Sequence, residues 1–125
     1  MNATQVAIKE YGYFAGNNWR KATDDKSFEV HEPYSGKLFG RVPAGTRADA
    51  RVAVDAAANA FPEWAETTPA ETARLFLKAA EIVRRGRSEI AEILARETGS
   101  TISFATFQQD LVAATLQQVA DWVFL

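Results

Sequence analysis

The stretch Gly40-Arg41-Val42-Pro43-Ala44-Gly45-Thr46 divides the chain into two patterns. Before it, short apolar runs alternate with turn residues. After it, apolar residues recur every three or four positions, the spacing of one face of a helix. Proline and glycine interrupt an extended run, and a threonine side chain can accept a hydrogen bond from the free N–H groups at a helix start. Through Gly45 the chain holds all three tyrosines, five of its seven glycines and two of its four prolines. The pattern predicts an α+β chain, with a strand-rich segment over 11–43 followed by about four helices over 46–125.

Upstream, Tyr13-Phe14-Ala15 leads into Gly16-Asn17-Asn18 and then Trp19-Arg20. Glycine and asparagine tolerate positive φ, so two short strands should meet at that turn. Phe28-Glu29-Val30-His31 alternates apolar and polar with period two, as a half-buried strand does. Pro33-Tyr34-Ser35-Gly36 supplies a second turn, and Leu38-Phe39-Gly40-Arg41-Val42 resumes extended structure up to Pro43.

Downstream, Thr46 is an N-cap with Asp49 three residues on, an approximate capping box. Val52, Ala56 and Ala60 share one helix face, with Ala53, Ala57 and Phe61 beside it, and Pro62 is expected to close the helix. Thr68-Pro69-Ala70-Glu71 starts a second helix with cap, proline and glutamate in the preferred order. Leu75, Ala79, Ile82 and Val83 form its expected apolar stripe, and Gly86 its stop. Ser88 is expected to cap a third helix with Ile90, Ile93 and Leu94 inward, ending at Gly99. A fourth begins near Ser100 or Ser103 and carries Phe104, Phe107, Leu111, Val119 and Trp122 at helical spacing. Phe107 and Leu111 stand one turn apart, and the residues alone read them as core. The apolar end Asp121-Trp122-Val123-Phe124-Leu125 reads as a chain cut rather than finished.

A length of 125 residues suits one modest domain. The net charge of -2 argues against a nucleic-acid or anionic-membrane partner. No run of about 18 apolar residues suggests a spanning helix, and the N-terminus holds no signal-peptide core, so the default address is the cytoplasm. Zero cysteine excludes disulfides, thiolate metal sites and cysteine nucleophiles within these residues, and a single histidine, His31, excludes most histidine-based sites. The glycines match neither dinucleotide nor P-loop spacing. Asp24-Asp25, with Lys21 and Lys26, reads as a solvated loop, and Glu89, Glu92 and Glu97 as a solvated face. Glu63 and Glu66 flank Trp64 in an expected connector. Arg84, Arg85 and Arg87 offset a helix dipole, with a phosphate site as the alternative. No catalytic, cofactor-binding or metal-ligating residue is assigned.

Phe14-Ala15-Gly16-Asn17-Asn18-Trp19, Phe28-Glu29-Val30, Pro33-Tyr34-Ser35-Gly36-Lys37 and Gly40–Thr46 follow one another in a distinctive order. Val52, Ala56, Ala57, Ala60, Phe61 and Trp64 continue it, then Ala73-Arg74-Leu75 and Glu97-Thr98-Gly99. Over roughly residues 11–122 this order resembles the N-terminal part of the NAD(P)-dependent aldehyde dehydrogenase superfamily. The resemblance implies that residues 1–125 are an incomplete N-terminal part of a Rossmann-like α/β cofactor-binding domain. It implies an enzyme oxidising an aldehyde to a carboxylic acid with NAD or NADP, through a cysteine thiohemiacetal and thioester. The cysteine, glutamate and asparagine of that chemistry lie outside the matching region, so this chain alone is expected to be inactive and to bind no cofactor. A small-molecule aldehyde and a homo-oligomer are the implied partners of the complete enzyme. The resemblance also implies that Phe107 and Leu111 face a substrate tunnel. Ser100 and Gln108 depart from the commonest family pattern, and Gly99-Ser100-Thr101 looks like subfamilies acting on aromatic aldehydes. The alternative is a stand-alone, non-catalytic helical interaction module that docks through its last helix.

Overall fold

The computed structural model describes residues 9–124. Residues through Pro62 form one compact unit and those from Glu63 another.

In the first unit, β1 (Lys9–Glu10) pairs parallel to β5 (Leu38–Pro43), which pairs antiparallel with β4 (Ser27–His31) on its other side. β2 (Tyr13–Ala15) and β3 (Asn18–Arg20) make a separate hairpin. Its turn places Gly16 at φ 59° and Asn17 at φ 60°. Both central residues thus take the left-handed conformation that matches the twist of a two-residue hairpin, which is why Gly-Asn marks it. The hairpin sets Phe14 opposite Trp19, with the rings edge to face at 5.3 Å. Gly36, at φ 66°, closes the β4–β5 turn by donating its N–H to the Glu32 carbonyl at 2.8 Å.

β1 lies upstream of the segment expected to be strand-rich. Lys9-Glu10 has no apolar alternation to announce a strand; its backbone is extended by register with Gly40 and Arg41. That approach requires a glycine at 40, where a Cβ would fall 2.9 Å from the Tyr11 ring and 3.1 Å from the Lys9 carbonyl.

α1 (Arg47–Ala65) begins with a reciprocal cap: the Asp49 N–H donates to Thr46 Oγ1, and the Thr46 N–H donates to Asp49 Oδ2 at 2.7 Å. Pro62 does not end this helix, which runs on to Ala65 and carries Glu63 and Trp64 in its last turn. Proline's φ is itself helical, and the missing N–H costs one bond near an end that has few left to make.

The second unit holds α2 (Pro69–Arg85), α3 (Arg87–Thr98) and α4 (Ile102–Trp122), with α2 and α3 both packed on α4. Thr68 caps α2 by accepting the Glu71 N–H. Gly86 stops α2 at φ -85°, without the left-handed turn, and directly caps α3. Ser88 therefore lies inside α3 and caps nothing, because the connection is one residue long. Gly99, at φ 72°, ends α3 in the left-handed conformation expected of it.

Thr101 is the N-cap of α4, lying between the two starts read from the sequence, Ser100 and Ser103, and its hydroxyl accepts the Phe104 N–H at 3.3 Å. Thr101→Ala removes that acceptor. The expected loss is about 1 kcal/mol, read as a lower midpoint in urea denaturation with unchanged slope.

The buried apolar side chains here are alanines: Ala73 and Ala80 on α2, Ala91 on α3, and Ala105, Ala113 and Ala120 on α4. Methyl-sized side chains let backbones approach closely and make a seam of small residues. Leu75 and Ile82, expected inside, are instead exposed; α2 turns Ala73 and Ala80 to the interior. Arg87 grips Asp110 with two short bonds of 2.6 and 2.7 Å, and Arg84 bonds Gln117 at 2.6 Å, which ties α3 and α2 to α4 along its length.

Candidate functional site

Each residue of an α-helix turns the chain by about 100°. On α4 this places Phe104, Phe107, Leu111 and Trp122 within one narrow sector. Ala105, Gln109, Ala113 and Ala120, the buried residues of the same helix, lie nearly opposite. Phe107 is 57% exposed and Leu111 49%. The reading of these two residues as core is therefore corrected: the alanine sector wins the contact with α2 and α3 because it permits the closer approach. The larger side chains are left on the outer face. The Phe104 and Phe107 rings stand 6.5 Å apart and tilted by 36°, and Leu111 continues the surface one turn further on. The neutral polar residues of this sector are Thr115 and Gln118, and the Thr115 hydroxyl already donates to the Leu111 carbonyl at 2.9 Å.

A second cluster centres on Asp49, a buried carboxylate in the first turn of α1. It accepts the N–H and hydroxyl of Thr23, the N–H and hydroxyl of Thr46, and the Tyr13 phenol at 3.3 Å. The Thr23 hydroxyl first, and then the Thr46 N–H, hold its carboxyl well below the usual carboxylate range, against the opposing effect of burial. Burial, and then the Asp49 charge, push the Tyr13 phenol up. A carboxylate saturated by donors in this way is a poor base. Its role is to join the β2–β3 hairpin, the Thr23 loop and the start of α1. The sequence pointed to Asp49 only as a helix cap; its more distant partners carry no local signal.

The first unit also has an open cavity of about 410 Å³, lined by Tyr11, Trp19, Arg20, Lys26 and Arg41 among others. Its cations are engaged: Lys21 with Asp25 at 3.7 Å, Lys26 with Asp24 at 3.1 Å, Arg41 with Glu29 at 2.7 Å, and Arg20 with the Ala15 carbonyl at 3.2 Å.

The other candidates are dispersed. Asp24 and Asp25 belong to the exposed loop expected of them, and Glu63, Glu66, Glu89, Glu92 and Glu97 are all exposed. His31, also exposed, ends β4 beside Glu29 at 3.5 Å. Two of the three clustered arginines, Arg84 and Arg87, serve α4 rather than an anion. Among the described residues no group of three or more His, Cys, Asp and Glu side chains could hold a metal ion. Nor is any helix among them long and apolar enough to cross a membrane.

Comparison with known proteins gives these features a setting. Residues 19–124 match the model of the aldehyde dehydrogenase family. The chain is 40% identical to a vanillin dehydrogenase of Pseudomonas fluorescens over 99 residues, which is 79% of this chain and 20% of that protein. It is 28% identical over 109 residues to a D-glyceraldehyde dehydrogenase (NADP(+)) of Thermoplasma acidophilum, 87% of this chain and 22% of that one. The solved structure of an NAD-dependent benzaldehyde dehydrogenase from Corynebacterium glutamicum superposes with a TM-score of 0.87 at 29% identity. That match covers 94% of this chain and 26% of the other. The chain thus spans only about a fifth to a quarter of the length of these relatives.

Proposed function

This chain belongs to the aldehyde dehydrogenase family, and from that membership we infer that residues 1–125 are an incomplete part of the cofactor-binding domain of an enzyme that oxidises an aldehyde to a carboxylic acid. The single observation that carries this reading is the family match over 19–124. The exposure of Phe61, Trp64 and Trp122, beside a buried set of alanines, supports it: these surfaces are the kind that further chain would cover.

In the complete enzyme NAD or NADP would accept the hydride. Thr46, Thr68 and Thr101 already cap the starts of α1, α2 and α4 with their own hydroxyls, and no glycine-rich turn of dinucleotide spacing leads into a helix. We therefore assign no cofactor-binding residue, and with no cysteine in the chain no nucleophile either. A cysteine nucleophile supplied from outside these residues, a cytoplasmic address and a homo-oligomeric complete enzyme belong to the same proposal.

Within this reading Phe107 and Leu111 wall the substrate tunnel. Their support is geometric: both are apolar, both are exposed, and both lie on the side of α4 away from its packing seam. The purified 125-residue chain should show no NAD(P)-linked aldehyde oxidation; measurable turnover would refute the predicted inactivity. In the complete enzyme, Leu111→Trp should lower kcat/KM for bulky aldehydes ~10–100-fold relative to acetaldehyde. Equal loss for all aldehydes, with a lower melting temperature, would return Leu111 to a packing role. The second reading, a stand-alone interaction module, draws on the same outer face of α4. A monodisperse oligomer of the 125-residue chain that dissociates on Phe107→Asp would favour it.

A further inference from the structure

We propose that Gln118 is a further specificity residue: its amide hydrogen-bonds a hydroxyl or other neutral polar group on the body of the aldehyde. This inference rests on the tunnel reading of Phe107 and Leu111. Gln118 follows Leu111 by seven residues, which is two helical turns to within about 20°. Its side chain therefore leaves α4 in the same outer sector, roughly 10 Å further along the helix. Gln118 is exposed, and its amide has no hydrogen-bond partner among the described residues. Of the other residues in the sector, Phe104, Phe107 and Leu111 have no polar side-chain atom, and Trp122 can only donate. Thr115 has already given its hydroxyl proton to the Leu111 carbonyl, so it can only accept. Gln118 is the one of these six with a donor and an acceptor both free.

The preceding residue does different work. Consecutive residues stand about 100° apart on a helix, so Gln117 belongs to the flank of α4 and not to its outer face. There its side-chain oxygen accepts from Arg84 of α2 at 2.6 Å, and Asp110 on the same flank holds Arg87 of α3. Both cations are thus committed to the packing of the three helices, while Asp121, three residues beyond Gln118, adds an anion beside it. A carboxylate on the substrate would meet that anion and one neutral amide. A hydroxyl matches the amide as both donor and acceptor. Where the rest of the enzyme covers this face, the amide loses its water. A substrate that restores a hydrogen bond there gains over one that does not.

The test uses the complete enzyme and straight-chain aldehydes from butanal to decanal, each paired with the same chain ending in a hydroxyl. In the unaltered enzyme the hydroxylated member should be favoured in kcat/KM by about tenfold at one chain length, and by less at shorter ones. Gln118→Leu should bring that ratio to about one with little change for the plain aldehyde. Gln118→Asn, whose amide is drawn back by one methylene, should move the preference to a longer chain. Gln117→Leu is the comparison: it removes the acceptor of Arg84 and should lower the melting temperature while leaving the ratio as it was. Equal kcat/KM within every pair for the unaltered enzyme would overturn the inference. So would a ratio unmoved by Gln118→Leu; if Leu111→Trp still excludes bulky aldehydes, the tunnel reading then stands without Gln118. If neither substitution alters relative kcat/KM among the aldehydes, the tunnel reading itself falls.

Discussion

Ala80→Leu is expected to abolish the cooperative melting of residues 63–124. Ala80 is completely buried on α2, whose packing partner is α4, where Ala105 is equally buried and Ala113 is 2% exposed. Three added carbons have no space at a seam lined by methyl groups, so α2 must rise or tilt off α4. Overpacking of this kind costs about 3 kcal/mol where the backbone cannot relax. A unit of this size is stabilised by only ~3–9 kcal/mol, which makes that loss a large fraction of the whole. Loss of the thermal transition with retained helical far-ultraviolet circular dichroism would register the effect. Ala114→Leu, on an exposed position of α4, is the control and should shift stability by less than about 0.5 kcal/mol. A melt of Ala80→Leu like that of the unaltered chain would show that the seam is looser than its burial implies.

Asp49→Ala should have the corresponding effect on the residues through Pro62. The substitution leaves the N–H groups of Thr23 and Thr46, both their hydroxyls and the Tyr13 phenol without their shared acceptor. These donors are part-buried, so water replaces the lost acceptor only in part, and three separate segments lose their common tie. A fall in melting temperature on the order of 10 °C is expected. The pH dependence follows from the lowered carboxyl. An unfolded aspartate takes up its proton at about pH 4, whereas the folded one resists protonation until lower pH. The stabilisation is therefore fully present above about pH 5 and is lost as pH falls from there toward the folded value. Asp49→Asn keeps the shape but cannot titrate, so its stability between about pH 5 and pH 3 should vary less than that of the unaltered chain. Identical acid limbs for the two would remove Asp49 from the account.

Much of the fold could be read locally. The Gly16-Asn17 turn, the Thr46–Asp49 box and the Gly99 stop each depend on chemistry between near neighbours, and each stands where the sequence places it; Phe28–His31 is the strand expected, but Phe28 is exposed rather than half-buried. Ser88 misled because a serine before an apolar run resembles a cap, while Gly86 had already ended one helix and begun the next. The candidate site was half legible. Phe107 and Leu111 were identifiable as one face of a helix, but their periodicity fits a buried stripe and an exposed one equally well.

Backbone conformation here follows from contacts within a few residues, so periods, turns and caps are encoded where they occur. Which side of each helix lies inside is different. α2 and α4 each carry two apolar sectors, and the choice between them was made by the fit of Ala73 and Ala80 with Ala105, Ala113 and Ala120. The same holds for β1, extended by a partner thirty-one residues away, since Lys9 pairs with Gly40. Close approach is a property of two segments together and leaves no mark on either one alone. That fit is what set Phe104, Phe107 and Leu111 on the outer face, and with them the surface proposed to receive the substrate.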